Sequence, residues 1–141
     1  MVISFSGVSG VGKTTLVKWL IETLPKAALV PSYTTRERRE TDLSGEYVYI
    51  GSAEFQDLKN KKEFAWFIDE YGSQYGTKLE DLCRAVQDAR TDYFILVVPA
   101  IIPKLRQCAL NCGGVVLSFY IQCKDEHELR RRLLERDKDL V

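Results

Sequence analysis

The stretch Gly7-Val8-Ser9-Gly10-Val11-Gly12-Lys13-Thr14 fills every fixed position of the pattern G-x-x-x-x-G-K-[ST]. Residues 1–5 ahead of it form a short apolar run. Behind it, residues 13–24 repeat apolar side chains at Leu16, Trp19, Leu20 and Leu24 until Pro25 stops them, so the stretch joins a strand to a helix. In that setting the glycines let consecutive backbone N–H groups curl inward on phosphate oxygens, and the helix N-terminus adds the positive end of its dipole. Lys13 reaches the outer phosphates of a nucleoside triphosphate, and the Thr14 hydroxyl is placed to ligate Mg²⁺. Ser9, Gly10, Val11, Gly12, Lys13, Thr14 and Thr15 are therefore the expected ATP contacts, with Lys13 catalytic and Thr14 the metal ligand. A glycine-rich turn with an incidental lysine is the competing reading. Motif, strand and helix arriving together argue against it.

Outward from this loop, residues 27–77 hold short strand-like pieces at 47–50 and 64–68, rich in Tyr, Phe and Trp, and a helix of about ten residues after Ser52. This reads as an inserted lobe. Beyond Thr77 helices at 79–89, 102–112 and 125–136 alternate with strands at 93–98 and 115–122. Phe94-Ile95-Leu96-Val97-Val98 lacks period-two alternation and belongs in a parallel sheet covered on both faces. The expected fold is α/β in one domain, as the length of 141 residues also suggests.

The 20 Lys and Arg offset the 20 Asp and Glu, so no global positive field draws the chain to nucleic acid or to an anionic membrane. Neither partner is expected, and any anion site must be local. No apolar run is long enough to span a bilayer. Cys83, Cys108, Cys112 and Cys123 form no Cys-x-x-Cys pair, and nothing ahead of them reads as a signal sequence. The single histidine, His127, falls on a different, charged helix from Cys108 and Cys112. Buried thiols in a reducing cytoplasm are expected over a metal site.

A phosphate loop does not name a reaction. Transfer to a second substrate needs a second anion site, with arginines on the acceptor and on the phosphoryl group in flight. Residues 32–39 supply Arg36, Arg38 and Arg39, and the last helix supplies Arg130, Arg131, Arg132 and Arg136. Arg132 and Arg136 are four apart and share a helix face. A solvated charged face would show the same spacing.

Taken in order, Gly7 to Leu16, Ser32-x-Thr34-Thr35-Arg36-x-x-Arg39, Tyr47-x-Tyr49-Ile50, Glu54-Phe55, Glu63-Phe64 and Tyr75-Gly76-Thr77 resemble the guanylate kinases over nearly the whole chain. The resemblance implies a P-loop kinase fold, a parallel sheet flanked by helices, with a core of residues 1–30 and 78–141 and an acceptor-binding lobe of residues 31–77. It implies that Arg36, Arg39, Tyr47 and Tyr75 hold the acceptor phosphate, that Ser32 and Thr77 face the base, and that Arg132 and Arg136 are catalytic arginines on the lid side. The expected reaction moves the γ-phosphate of Mg-ATP to a nucleoside monophosphate.

Three departures qualify it. Trp66 stands where the family reads guanine with a glutamate, and an indole accepts no hydrogen bond from guanine N1–H or the exocyclic amine. No Asp or Glu occurs from Tyr93 to Lys124, where the family carries Asp-x-Asp. Guanine is therefore not the expected base. Trp66 is expected to stack on a flat ring, with a pyrimidine or 5-modified pyrimidine deoxynucleotide preferred, unless a bulge in the strand brings Asp69 or Glu70 to the base. The chain also stops five residues after Arg136, where the family continues through a lid and a final helix. Two rivals remain open. Ribose 1,5-bisphosphate phosphokinases resemble the Glu63-Phe64-Ala65 and Tyr75-Gly76 segments without needing a base reader. Scaffold modules of similar fold bind peptides, but lose the phosphate loop that this chain keeps.

Overall fold

The computed structural model describes residues 1–138, with side chains described to residue 136. Strand β1 (Val2–Ser6) runs into the phosphate loop and α1 (Lys13–Thr23). Then come β2 (Ala27–Leu29), β3 (Ser32–Thr34), β4 (Tyr47–Tyr49), α2 (Ser52–Asn60), β5 (Phe64–Glu70), β6 (Ser73–Lys78) and α3 (Leu79–Gln87). The chain closes with β7 (Asp92–Leu96), α4 (Ile102–Asn111), β8 (Val116–Tyr120) and α5 (Glu126–Lys138).

Two sheets form. The first has the order β2-β7-β1-β8 and is parallel throughout, with Val2 opposite both Tyr93 and Val116. Its two faces are sorted by parity along β1 and β7. Val2 and Ile95 point to a cluster with Leu82, Ala85, Leu105 and Cys108 from α3 and α4. Phe5 and Phe94 point the other way, to Val17, Leu16, Leu20 and Ile21 of α1. Burial on both faces is why these strands lack a polar alternation. Strand β7 ends at Leu96, two residues earlier than the apolar run suggests, because Val98 and Pro99 turn the chain into a single 3₁₀ turn at Pro99–Ile101.

The second sheet, β4-β3-β6-β5, lies within residues 32–78 and is mixed: β3 runs parallel to β4, while β6 is antiparallel to both β3 and β5. Strands β2, β3 and β6 escape the apolar-run reading because two are three residues long and β6 is the polar SQYGTK. A bulge between Phe64 and Trp66 shifts the β5–β6 register. Downstream of it the Trp66 indole, 9% exposed, joins the cluster formed by Val30, Leu82 and Ile95. Trp66 thus fastens the second sheet to the first.

The cysteines correct the sequence reading. Cys83 of α3 and Cys112, the residue that caps α4, are joined as a disulfide, so only Cys108, which is buried, and Cys123 are free thiols. Helix spacing on one element gave no sign that α3 and α4 lie side by side. No helix among the described residues is long and apolar enough to cross a membrane.

Candidate functional site: a phosphate loop facing an arginine-tyrosine cluster

At its three glycines the loop from Gly7 to Gly12 takes a backbone that only glycine adopts easily. Gly10 sits at φ 81° and Gly12 at φ 108°. At Gly7 the reason is contact as well as conformation, since a Cβ there would collide with the backbone carbonyl of Ile121 at the end of β8. Gly12 then caps α1, and Lys13 and Thr14 open it. The Lys13 ammonium donates to the carbonyls of Gly7 and Val8, the latter at 3.0 Å, so the side chain folds back over its own loop. Burial lowers its pKa and Arg136 adds to that, while the Glu70 carboxylate opposes both. Thr14 and Thr15 are exposed.

Helix α5 lies over this loop. Arg136 donates to the Ser9 hydroxyl at 2.9 Å, and Arg132 approaches the Val11 carbonyl at 3.5 Å while held by Glu128 at 2.9 Å. Leu129 and Leu133 cover Gly10, where an added Cβ would come within 2.9 Å of the Leu133 side chain. The structure thus brings Arg132 and Arg136 to the phosphate loop, 121 and 127 residues away in the chain. Of the four arginines on α5, Arg130 and Arg131 pair with acids of their own helix and make no bond to the loop, whereas Arg132 does both.

The second cluster is built on β3, β4 and β6. Thr34, fully buried, donates to the Gln74 carbonyl and accepts from the Arg36 backbone, and Thr35 accepts from the Gln74 N–H. These bonds fix where the chain leaves β3, and with it the direction of Arg36. Its guanidinium makes two bonds to Asp42 at 2.9 and 3.0 Å, a third to the Glu37 carbonyl, and lies 4.8 Å over the Tyr47 ring. Asp42 also accepts from the Tyr49 hydroxyl at 2.6 Å and the Arg39 N–H at 2.9 Å. Burial alone would raise the Asp42 pKa, but these bonds outweigh it and hold the carboxyl below its ordinary value. Tyr47 lies 6.1 Å from Tyr75, ring to ring. Burial, then the Glu46 charge, pushes the Tyr47 phenol far up, so it is a neutral hydroxyl at any working pH.

The residues expected at the acceptor therefore divide. Arg36, Tyr47 and Tyr75 converge, and Arg39 joins them through the Asp42 contact with its backbone. Ser32 is tied by its N–H to the Glu46 carbonyl, and buried Thr77 sits opposite Trp66 in the β5–β6 ladder. Trp66 does not stand free as a stacking surface, because its indole is in the core. Asp42 is a residue that sequence reasoning passed over as a site group, and Glu70, weighed there only as a base reader, instead bears on Lys13. Asp42 follows Arg39 by three, a spacing that could have suggested a local turn. Glu70 reaches Lys13 only through the long-range placement of the β5–β6 hairpin.

The guanylate kinase family model matches residues 1–140. A guanylate kinase of Geobacter metallireducens is 36% identical over 135 residues, which is 95% of this chain and 64% of that protein. That of Chlamydia muridarum is 31% identical over 138 residues, 96% of this chain and 64% of its own length. This chain thus spans somewhat under two thirds of the relatives it matches. A crystal structure of guanylate kinase from Anaplasma phagocytophilum superposes with a TM-score of 0.70 at 23% identity, covering 96% of this chain and 66% of that one, which supports the same fold. With a family match over nearly every residue and a fold in agreement with it, the chain belongs to the guanylate kinase family.

Proposed function

We propose that this chain transfers the γ-phosphate of ATP to a small phosphorylated acceptor, a nucleoside monophosphate in the first reading. The observation that carries this is the complete phosphate loop with Arg132 and Arg136 drawn onto it from α5. A binding module of the same fold has no use for either. In this reading Ser9 to Thr15 hold the donor phosphates, and Lys13, Arg132 and Arg136 neutralise charge as the phosphoryl group moves. The residue 31–77 lobe holds the acceptor. Arg36, Arg39, Tyr47 and Tyr75 bind its phosphate, Ser32 and Thr77 lie toward the rest of it, and Trp66 backs the pocket from the core.

The residues present fit a Mg²⁺ ion of the kind bound largely by phosphates and water. The Thr14 hydroxyl is exposed, and no group of three acidic, Cys or His side chains among the described residues forms a dedicated cage. When bound, held at the Thr14 hydroxyl, the ion would offset the charge of the donor phosphates. The chain's own residues do the rest. Lys13 turns from its loop carbonyls to the donor, and the acceptor phosphate oxygen, already an anion, attacks without a general base. Nucleic acid and membrane play no part in this reading. The cytoplasmic setting expected from the cysteines now rests on Cys108 and Cys123 alone.

Guanine is the base we exclude, because Trp66 is in the core and no Asp or Glu stands anywhere from Tyr93 to Lys124. Leaving guanine's two donors unpaired costs about 1 to 3 kcal/mol each. The burial of Trp66 also favours a second reading. With no free indole to stack on a base, a base-free acceptor such as ribose 1,5-bisphosphate fits the same phosphate cluster. ADP release should be measured with equal concentrations of dGMP, GMP, dAMP, dCMP, dTMP, dUMP and ribose 1,5-bisphosphate. A pyrimidine monophosphate giving the highest kcat/KM supports the first reading. A maximum at ribose bisphosphate selects the second, and one at a guanine nucleotide overturns the exclusion.

A further inference from the structure

Beside the phosphate loop opens a cavity of about 670 Å³ lined by Gly10, Gly12, Thr15, Leu16, Trp19 and Arg132. That volume is in the range that holds a small organic ligand. No residue of the 31–77 lobe lines it, so it lies on the donor side of the molecule. Lys13 and Thr14 serve the outer phosphates and their metal. A nucleotide seated there must carry its ribose and base away from them, and Thr15 begins the other wall.

Trp19 is the unexplained residue of this wall. On α1 it follows Thr15 by four and Leu16 by three, so the three share a face. Leu16, Val17, Leu20 and Ile21 of the same helix pack into the core cluster, whereas the Trp19 indole is 58% exposed. A tryptophan carries a large flat apolar surface that water solvates poorly, and a purine is the ring that best matches it. Arg132 adds a guanidinium, which also stacks on flat rings. Apart from these, the polar side chains lining the cavity reduce to the Thr15 hydroxyl, with no carboxylate or amide to read a base edge.

We propose that Trp19 is the stacking platform for the base of the donor nucleotide, so that the donor site selects ring area rather than base identity. This rests on the kinase reading above. Purine donors are then held alike and pyrimidine donors more weakly.

The test is calorimetric titration of the chain and of Trp19→Ala with ADP, GDP, CDP and inorganic tripolyphosphate, with Trp19→Phe as a ring-retaining control. Trp19→Ala should weaken ADP and GDP by about tenfold, a typical loss for one base stack, while tripolyphosphate binds unchanged. Trp19→Phe should recover most of the loss. ADP, and not tripolyphosphate, should quench the exposed tryptophan emission, since the other tryptophan is in the core. Unchanged ADP affinity in Trp19→Ala, or equal affinity for ADP and CDP in the unaltered chain, overturns the platform. Failure of the unaltered chain to bind tripolyphosphate overturns the phosphate-loop reading, and the proposal with it.

Discussion

Asp42 accepts from Arg36, Tyr49 and the Arg39 backbone, and through those bonds it decides what the acceptor cluster looks like before any ligand arrives. The Arg36 guanidinium is held at both terminal nitrogens, by the Glu37 carbonyl and by Asp42, which is preorganisation by neighbouring acceptors. Arg36→Ala and Arg39→Ala should therefore raise the acceptor KM while leaving the ATP KM near its starting value. Asp42→Asn should raise the acceptor KM too, by releasing Arg36. Steady-state kinetics varying one substrate at a time checks this, and equal effects on both substrates would contradict it. The pH sign follows from the depressed carboxyl. Its stabilisation is present above the ordinary Asp range and is lost as pH falls through the folded value, so the clamp is intact at neutral pH. In the proposed reaction Lys13 acts on the donor. Lys13→Ala should cut turnover by on the order of a hundredfold or more, with an unchanged thermal melt, because its ammonium meets loop carbonyls and not the core. Arg36, Arg39, Tyr47 and Tyr75 were singled out in the sequence through the resemblance to the guanylate kinases, not through spacing alone. Asp42 was not, since an exposed-looking acid in a polar loop shows nothing of the partners that fold around it.

Among the elements, the long ones could be read and the short ones could not. Strand β7 and helices α1 and α4 announce themselves by apolar period, because both faces of the sheet are covered. The three-residue β2 and β3 exist only through pairing with β7 and with β4 and β6, a tertiary cause that no local pattern records. The same holds for the bond between Cys83 and Cys112, which closes a span of 29 residues between α3 and the end of α4. In the chain-entropy account, constraining a loop of that size in the unfolded chain is worth about 3.5 kcal/mol. Urea unfolding with and without reductant should show a lower midpoint in the reduced protein. Cys83→Ser should show the low midpoint under both conditions. Identical midpoints for the oxidised and reduced forms would mean that the bond adds nothing.

On the scale of the whole molecule, the two sheets meet through Trp66, and the Glu70 carboxylate of the second sheet's hairpin bears on the Lys13 ammonium through its charge alone. Helix α5 then closes the other side. With Leu129 and Leu133 over Gly10 and Arg136 bonded to Ser9, the last helix covers one side of the phosphate loop. That arrangement turns into a statement about time. Nucleotide entry is therefore expected to wait on a movement of that helix, with the apparent affinity scaled by the fraction of molecules in which it has moved. Followed by stopped flow, the observed rate of ADP association should level off as ADP is raised, at the frequency with which α5 lifts. Leu133→Ala, with less side chain to lift from Gly10, should move that plateau upward.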